Sequence, residues 1–104
     1  MLKSGTVAVV GTEALLSLGR YHFTKAFLGV NGVAASQGFT TPDPEEAAVK
    51  AMAARRAREV YVLADAGKFG TVTAAVMFPL EDACVITDRL PDQRYRDYTS
   101  VEEV

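Results

Sequence analysis

The stretch from Phe27 to Gly70 limits the possible folds of this chain more than any other. Two short apolar runs, F-L-G-V and V-Y-V-L-A, end abruptly in small and polar residues, and a helix with clear start signals lies between them. Strand, helix and strand in this order are typical of an α/β layer built on a parallel sheet. Ligands bind such sheets at the carboxyl ends of the strands, where loops and helix amino-termini converge.

The helix between the two apolar runs has every expected start signal. Asp43 is a good N-cap, Pro44 suits the first helical position, and Glu46 stands where it can close a capping box. Apolar residues then recur at helical spacing as far as Val60. The strand that follows, Val60 to Ala64, is almost wholly apolar, which predicts burial on both of its faces.

The other predicted elements are shorter. Asn31 and Gly32 form a turn that tolerates positive φ, and the segment with Gly38 and Thr40 to Pro42 is a loop that leads into the helix. Pro91 to Tyr98 is a short helix or turn, and Thr99 to Val104 is a weak strand or a frayed tail. The remaining predictions are strands at Thr6 to Val10, Lys25 to Val30, Thr71 to Phe78 and Cys84 to Thr87, and a helix at Glu13 to Leu18.

The composition fits one domain and argues against several classes of function. The chain has 104 residues, a net charge of -2 and a hydrophobic fraction of 49%. A nucleic-acid-binding surface would normally carry a basic patch. The only dense cationic cluster, Arg55, Arg56 and Arg58, falls late in the helix, where positive charge complements the helix dipole.

No sequence feature indicates a metal, a cofactor or a membrane. The lone Cys84 cannot form an internal disulfide and belongs to a predicted buried strand. His22 has no second ligand nearby, and no phosphate-binding glycine motif or nucleophile elbow is present. With neither a signal peptide nor a membrane-spanning run, we expect a cytoplasmic protein.

Polar residues at the ends of the predicted strands form a candidate site for one small anionic molecule. Lys68, which follows a glycine and a buried strand, is the best phosphate ligand, although it could also be an exposed turn lysine. Asp65 could orient Lys68, contact a sugar hydroxyl or cap the following turn. Asn31 and Gly32 could form an anion nest or only a turn.

Glu46 also has two interpretations. It could accept hydrogen bonds from ligand hydroxyls, or it could be a capping residue that pairs with Lys50 at i+4. From the residues alone the second interpretation is favoured. The two are compatible, because a capping residue also faces a ligand bound at the helix amino-terminus.

The segments from Gly11 to Asp88, in their order and spacing, resemble the latter part of the sugar-sensing domain of DeoR-family transcriptional repressors. The matching pieces are V-G-T-E-A-L-L-S-L, Y-H-F-T-K-A-F-L-G-V-N-G-V, G-F-T-T-P-D-P-E-E-A-A-V-K, V-Y-V-L-A-D-A-G-K-F-G and V-I-T-D. The resemblance implies a partial three-layer α/β fold like that of ribose-5-phosphate isomerase and glucosamine-6-phosphate deaminase.

The resemblance also implies a function. Such domains bind phosphorylated sugars without catalysis, and binding weakens the operator affinity of an attached helix-turn-helix domain. By that analogy Glu46 and Lys68 lie at effector-binding positions, with further candidates nearby: Asp65, Lys50, Gly29, Asn31, Gly32 and Thr40. Thr24 stands where the family usually has Asp, and Ala66 and Gly67 stand where it has two serines.

We therefore expect residues 1–104 to be a single partial sensor domain that lacks the DNA-binding domain and the first half of the sensor. DNA would be contacted only through that missing domain. A partial sheet leaves an unpaired edge, which predicts a homo-oligomer. Two alternatives remain: a sugar-phosphate isomerase-like enzyme with Glu46 as base, and a self-association domain without a ligand.

Overall fold

A computed structural model of the chain describes residues 23–104. The predicted strand at residues 6–10 and helix at residues 13–18 lie outside this range. The described elements are seven strands and one long helix, and three short 3-10 helices at Ala66–Lys68, Leu80–Asp82 and Gln93–Asp97. The strands are β1 (Phe23–Gly29), β2 (Gly32–Ala34), β3 (Gly38–Thr41), β4 (Ala57–Leu63), β5 (Ala75–Phe78), β6 (Cys84–Thr87) and β7 (Ser100–Glu103), and the helix is α1 (Pro44–Arg56).

A four-stranded parallel sheet in the order β1-β4-β6-β7 forms one layer. This confirms the α/β class with a parallel sheet. The predicted strand from Cys84 to Thr87 has the expected bounds, and the carboxyl-terminal residues form a paired strand, β7. One face of this sheet supplies core residues, among them Ala26, Val62, Val85 and Val101.

A second, antiparallel sheet in the order β2-β3-β5 was not predicted. The segment expected to be a loop before the helix is strand β3, and Gly32 begins strand β2 instead of completing a turn. Phe39 and Thr40 in β3 are fully buried, so the strand is held by packing as well as by pairing. Gly38 and Pro42 flank this strand and are residue types typical of loops, which is why the sequence favoured a loop although Phe39, Thr40 and Thr41 are strand formers.

Helix α1 begins as predicted but ends earlier. The Asp43 carboxylate accepts a hydrogen bond from the Glu45 amide at 2.9 Å, and Pro44 is the first helical residue. Ala57 already has extended backbone angles, so Ala57 and Val60 belong to β4 and the helix stops at Arg56. Arg58 is therefore in a strand, and only the other two arginines of the cluster lie in the last helical turn.

Two predictions of burial were wrong. Leu63 in β4 is 45% exposed, so the second face of this strand is open among residues 23–104. Cys84, on the same open face of the sheet, is only partly buried. Burial raises the pKa of its thiol, and the charge of Glu102 raises it further.

Candidate functional site

The carboxyl ends of the parallel strands lie level with one another. Gly29 pairs with Leu63, and Leu63 pairs with Ile86, so β1, β4 and β6 end at the same edge of the sheet. The residues that follow these ends include Asn31, Asp65 and Asp88. The topology therefore gathers polar residues that are far apart in the sequence.

The first group at this edge joins α1 to β1. The Lys50 ammonium donates to the Gly29 carbonyl at 2.6 Å and lies 2.7 Å from the Glu46 carboxylate. The Lys50 side chain is 11% exposed and that of Glu46 is 32% exposed. Lys50 is thus committed to internal contacts, whereas Glu46 also faces solvent.

The second group lies where β3 meets the start of β2. The Thr41 hydroxyl donates to Asn31 Oδ1 at 3.1 Å, and the backbone amide of Asn31 donates to the Thr40 carbonyl at 3.0 Å. Thr40 Oγ1 accepts from the Thr73 amide at 3.0 Å. The Thr73 hydroxyl is buried and has no hydrogen-bond partner among the described residues.

Gly32 also belongs to this second group, and a side chain at its position would not fit. A methyl group on its Cα would collide with the Thr71 carbonyl oxygen and with Thr40 Oγ1. Its φ is not positive. Among the described residues, only Gly38 and Gly70 have positive φ. The sequence predicted a turn that tolerates positive φ at Asn31 and Gly32, but neither residue uses positive φ, and Gly32 is accounted for by close packing in a strand.

The third group is the turn after β4, which carries Lys68. Asp65 Oδ1 accepts from the Gly67 amide at 2.9 Å, so the predicted capping role is confirmed. The Asp65 and Lys68 side chains also form an ion pair at 3.7 Å. This distance is long and the Lys68 side chain is 37% exposed, so its ammonium is open to a further partner.

Backbone contacts join the turn to the second group. The Gly70 amide donates to the Val33 carbonyl at 2.7 Å, and Phe69 forms a bridge with Val33. The turn is thereby held beside β2, directly after Gly32. No hydrogen bond or ion pair between residues 23–104 joins Glu46 to Lys68 themselves.

Asp88 is the residue of this edge that sequence reasoning missed. Its Oδ1 accepts from the Ala66 amide at 3.0 Å and from the Arg89 amide at 2.9 Å. The Ala66 hydrogen bond is the main reason that the pKa of Asp88 is lowered. A carboxylate directly after a predicted parallel strand, as in V-I-T-D, was the available signal.

A broad depression of about 850 Å³ lies on the open face of the parallel sheet, against Tyr61, Cys84, Arg96 and Glu102, and contains no predicted site residue. Residues 23–104 contain no cluster of His, Cys, Asp and Glu that could hold a metal ion. In the same range, every helix is too short or too polar to cross a bilayer.

A family comparison decides the identity of the domain. The family model of the DeoR C-terminal sensor domain matches residues 1–89, which include every element from β1 to β6. The chain belongs to this family. The resemblance inferred from the sequence motifs is thereby confirmed for the DeoR sensor domain.

Curated relatives agree with this assignment. The domain is 41% identical over 106 residues to the uncharacterized HTH-type transcriptional regulator FruR of Bacillus subtilis. It is 31% identical over 103 residues to the HTH-type transcriptional regulator IolR of the same organism. It is 33% identical over 97 residues to the HTH-type transcriptional regulator GlpR of Haloferax volcanii.

The DeoR sensor domain described here matches only part of each relative. The alignments cover 99% of this chain but 42% of FruR, and 98% of this chain but 41% of IolR. For GlpR the shares are 92% and 38%.

Proposed function

We propose that this chain is the effector-sensing and oligomerising part of a sugar-catabolism repressor and binds a phosphorylated sugar without catalysis. The observation that carries the proposal is the common edge at which β1, β4 and β6 end. Lysine, carboxylate, amide and hydroxyl groups from separate segments line that edge. A sugar phosphate needs this combination, since its dianion requires a cation and its hydroxyls require acceptors and donors.

Lys68 and Lys50 differ in what they can offer a phosphate. The Lys50 ammonium is almost buried and already contacts both Gly29 and Glu46. Among residues 23–104, the Lys68 ammonium pairs only with Asp65, at a long distance, and its side chain remains partly exposed. We therefore assign the phosphate contact to Lys68 and a role in fixing Glu46 to Lys50.

The sugar hydroxyls would be held by the other two groups. Glu46 is oriented by Lys50 and retains solvent access, so its carboxylate can accept from a hydroxyl. Asn31 is exposed, and no described residue accepts a hydrogen bond from its side-chain Nδ2. Gly32 and Thr40 shape the wall beside Asn31 through their close packing.

The names of relatives support a regulatory role over an enzymatic one. FruR, IolR and GlpR are all named transcriptional regulators, and a further relative is a lactose phosphotransferase system repressor of Streptococcus mutans.

The segment from Asn31 to Thr41 also contains no carboxylate. The isomerases that the fold resembles carry an acidic cluster there. In the whole regulator, DNA would be bound by a separate helix-turn-helix domain.

The proposal is tested by calorimetry and thermal shift with the 104-residue chain. The probes are inorganic phosphate, a pentose 5-phosphate, a hexose 6-phosphate and a hexose 1-phosphate. A ligand at a hundred times its dissociation constant raises the free energy of unfolding by about 2.7 kcal/mol. Lys68→Met should abolish this gain.

Lys25→Met is the matched control for this test. Lys25 is an exposed lysine near the amino end of β1, far along the strand from Gly29, so its loss should leave binding unchanged. Absence of binding for every probe would overturn the proposal. Isomerase turnover that Glu46→Gln abolishes would instead favour the enzyme hypothesis.

A further inference from the structure

Asp88 holds the lysine-bearing turn to the end of the neighbouring strand. Three hydrogen bonds converge on its Oδ1: from the Ala66 amide at 3.0 Å, the Arg89 amide at 2.9 Å and the Thr87 hydroxyl at 3.3 Å. Two of these donors are local to Asp88. The third, Ala66, is 22 residues away in the chain and begins the 3-10 helix Ala66–Lys68.

This contact fixes the start of the turn, and another contact fixes its end. The Gly70 amide donates to the Val33 carbonyl at 2.7 Å. Inside the turn, Asp65 Oδ1 caps the Gly67 amide. Within the part of the chain described, two side chains outside residues 65–68 bond to them: Thr71, next in the chain, whose hydroxyl donates to the Gly67 carbonyl at 3.3 Å, and Asp88. Of these two, only Asp88 ties the turn to another strand of the sheet.

The position of the Lys68 ammonium depends on these backbone anchors. Its one side-chain partner in the described part of the chain is Asp65, at 3.7 Å and within the same turn, so this ion pair moves with the turn and cannot anchor it. A hydrogen bond from a backbone amide favours the ionised carboxylate and lowers the pKa of Asp88. Asp88 is thus charged, and its anchor intact, throughout the neutral range.

We propose that Asp88 is a positioning residue of the effector site, which sets the place of Lys68 by tying the Ala66 amide to the end of β6. The proposal rests on the function proposed above and adds a residue to it. Asp88 acts through the turn and not by contact with the phosphate. Its effect is therefore expected on affinity, with a smaller effect on stability.

Two substitutions separate the hydrogen-bond acceptor from the charge. Asp88→Ala removes the acceptor, while Asp88→Asn keeps a carbonyl oxygen that can still receive the hydrogen bond from the Ala66 amide. Asp92→Ala is the matched control, because Asp92 caps a different 3-10 helix, Gln93–Asp97, through the Arg94 amide. Each variant and the unmodified chain are titrated with the sugar phosphate that binds best, and with inorganic phosphate.

We expect roughly tenfold weaker binding for Asp88→Ala, the size of one lost hydrogen bond to a charged group. Asp88→Asn and Asp92→Ala should stay within about twofold of the unmodified chain, which is well inside the effect of one such bond. Amide hydrogen exchange at Ala66 should be faster in Asp88→Ala and unchanged in Asp88→Asn. Rescue by Asn together with this exchange pattern distinguishes positioning of the turn from a general loss of fold.

The outcomes separate this inference from the proposed function. Equal affinity of the unmodified chain and Asp88→Ala overturns the positioning role and leaves the proposed function standing. Weak binding by Asp88→Asn also overturns it, since the charge and not the anchor would then matter. Absence of binding by the unmodified chain overturns the proposed function, and the positioning role falls with it.

Discussion

At the scale of single residues, Gly32 and Gly29 form a natural pair for testing close packing at the candidate site. A Cβ at Gly32 would meet the Thr71 carbonyl, whereas a Cβ at Gly29 would meet nothing within 4 Å. We expect Gly32→Ala to lower the free energy of unfolding by about 1–3 kcal/mol, because backbone must move. Gly29→Ala should leave it unchanged or raise it by about 0.5 kcal/mol. Urea unfolding of both variants measures the difference, and equal stability would contradict the packing at Gly32.

Thr73 is the second residue with a specific expectation. Its buried hydroxyl has no partner in residues 23–104, so Thr73→Val should leave stability unchanged or raise it slightly. The control is Thr40→Val, which deprives the Thr73 amide of its acceptor and should cost about 1–3 kcal/mol. Chemical denaturation compares the two variants. A large loss for Thr73→Val would mean that its hydroxyl has a partner in the folded protein.

At the scale of elements, local signals predicted some elements well. The start of α1 follows from Asp43 and Pro44, whose effects act within one helical turn. The end of α1 does not, because Ala57 and Val60 satisfy a helical spacing and are still drawn into β4. Pairing with β1 decides their conformation, and that contact joins residues more than thirty positions apart. Strand β3 was missed for the same reason, since its partner β5 lies far along the chain.

The 3-10 helix at Gln93–Asp97 carries a prediction about pH. The Arg94 side chain and the Arg94 amide both donate to Asp92 and lower its pKa to about 2. A carboxylate whose pKa is lower in the folded than in the unfolded state stabilises the fold above its ordinary pKa of 3.8. That contribution is lost as the pH falls from about 4 to about 2.

Carbon-detected NMR of the Asp92 carboxyl group measures this pKa directly. Arg94→Gln should raise it toward 3.8, because the side-chain hydrogen bond is the largest cause of the shift. An Asp92 carboxyl that titrates near 3.8 in the unmodified chain would contradict the contact with Arg94.

At the scale of the whole molecule, the sequence predicted the edge of the candidate site but not the contacts that assemble this edge. The rule that ligands bind at the carboxyl ends of parallel strands predicts Lys68, Asp65 and Glu46 at one edge of the sheet. It could not assign Lys50 to the Gly29 carbonyl or Asp88 to the Ala66 amide. Those contacts depend on strand register, which a slip of one residue would change completely.

The exposed edge of the antiparallel sheet leads to a prediction about assembly. Among residues 23–104, β5 pairs only with β3, and Val76 in β5 is 60% exposed. An open strand edge with apolar side chains favours pairing with another chain. We therefore expect a dimer or larger oligomer in sedimentation velocity at micromolar concentration.

Val76→Lys should shift this equilibrium toward monomer, since a lysine on an edge strand disfavours strand pairing. Val104→Lys is the matched control, because Val104 is also an exposed valine but lies outside β5.

If both variants sediment like the unmodified oligomer, another surface joins the copies. The open face of the parallel sheet around Leu63 would be the next to test. A stable monomer for the unmodified chain would rule out self-association by this domain and leave ligand binding as its remaining proposed role.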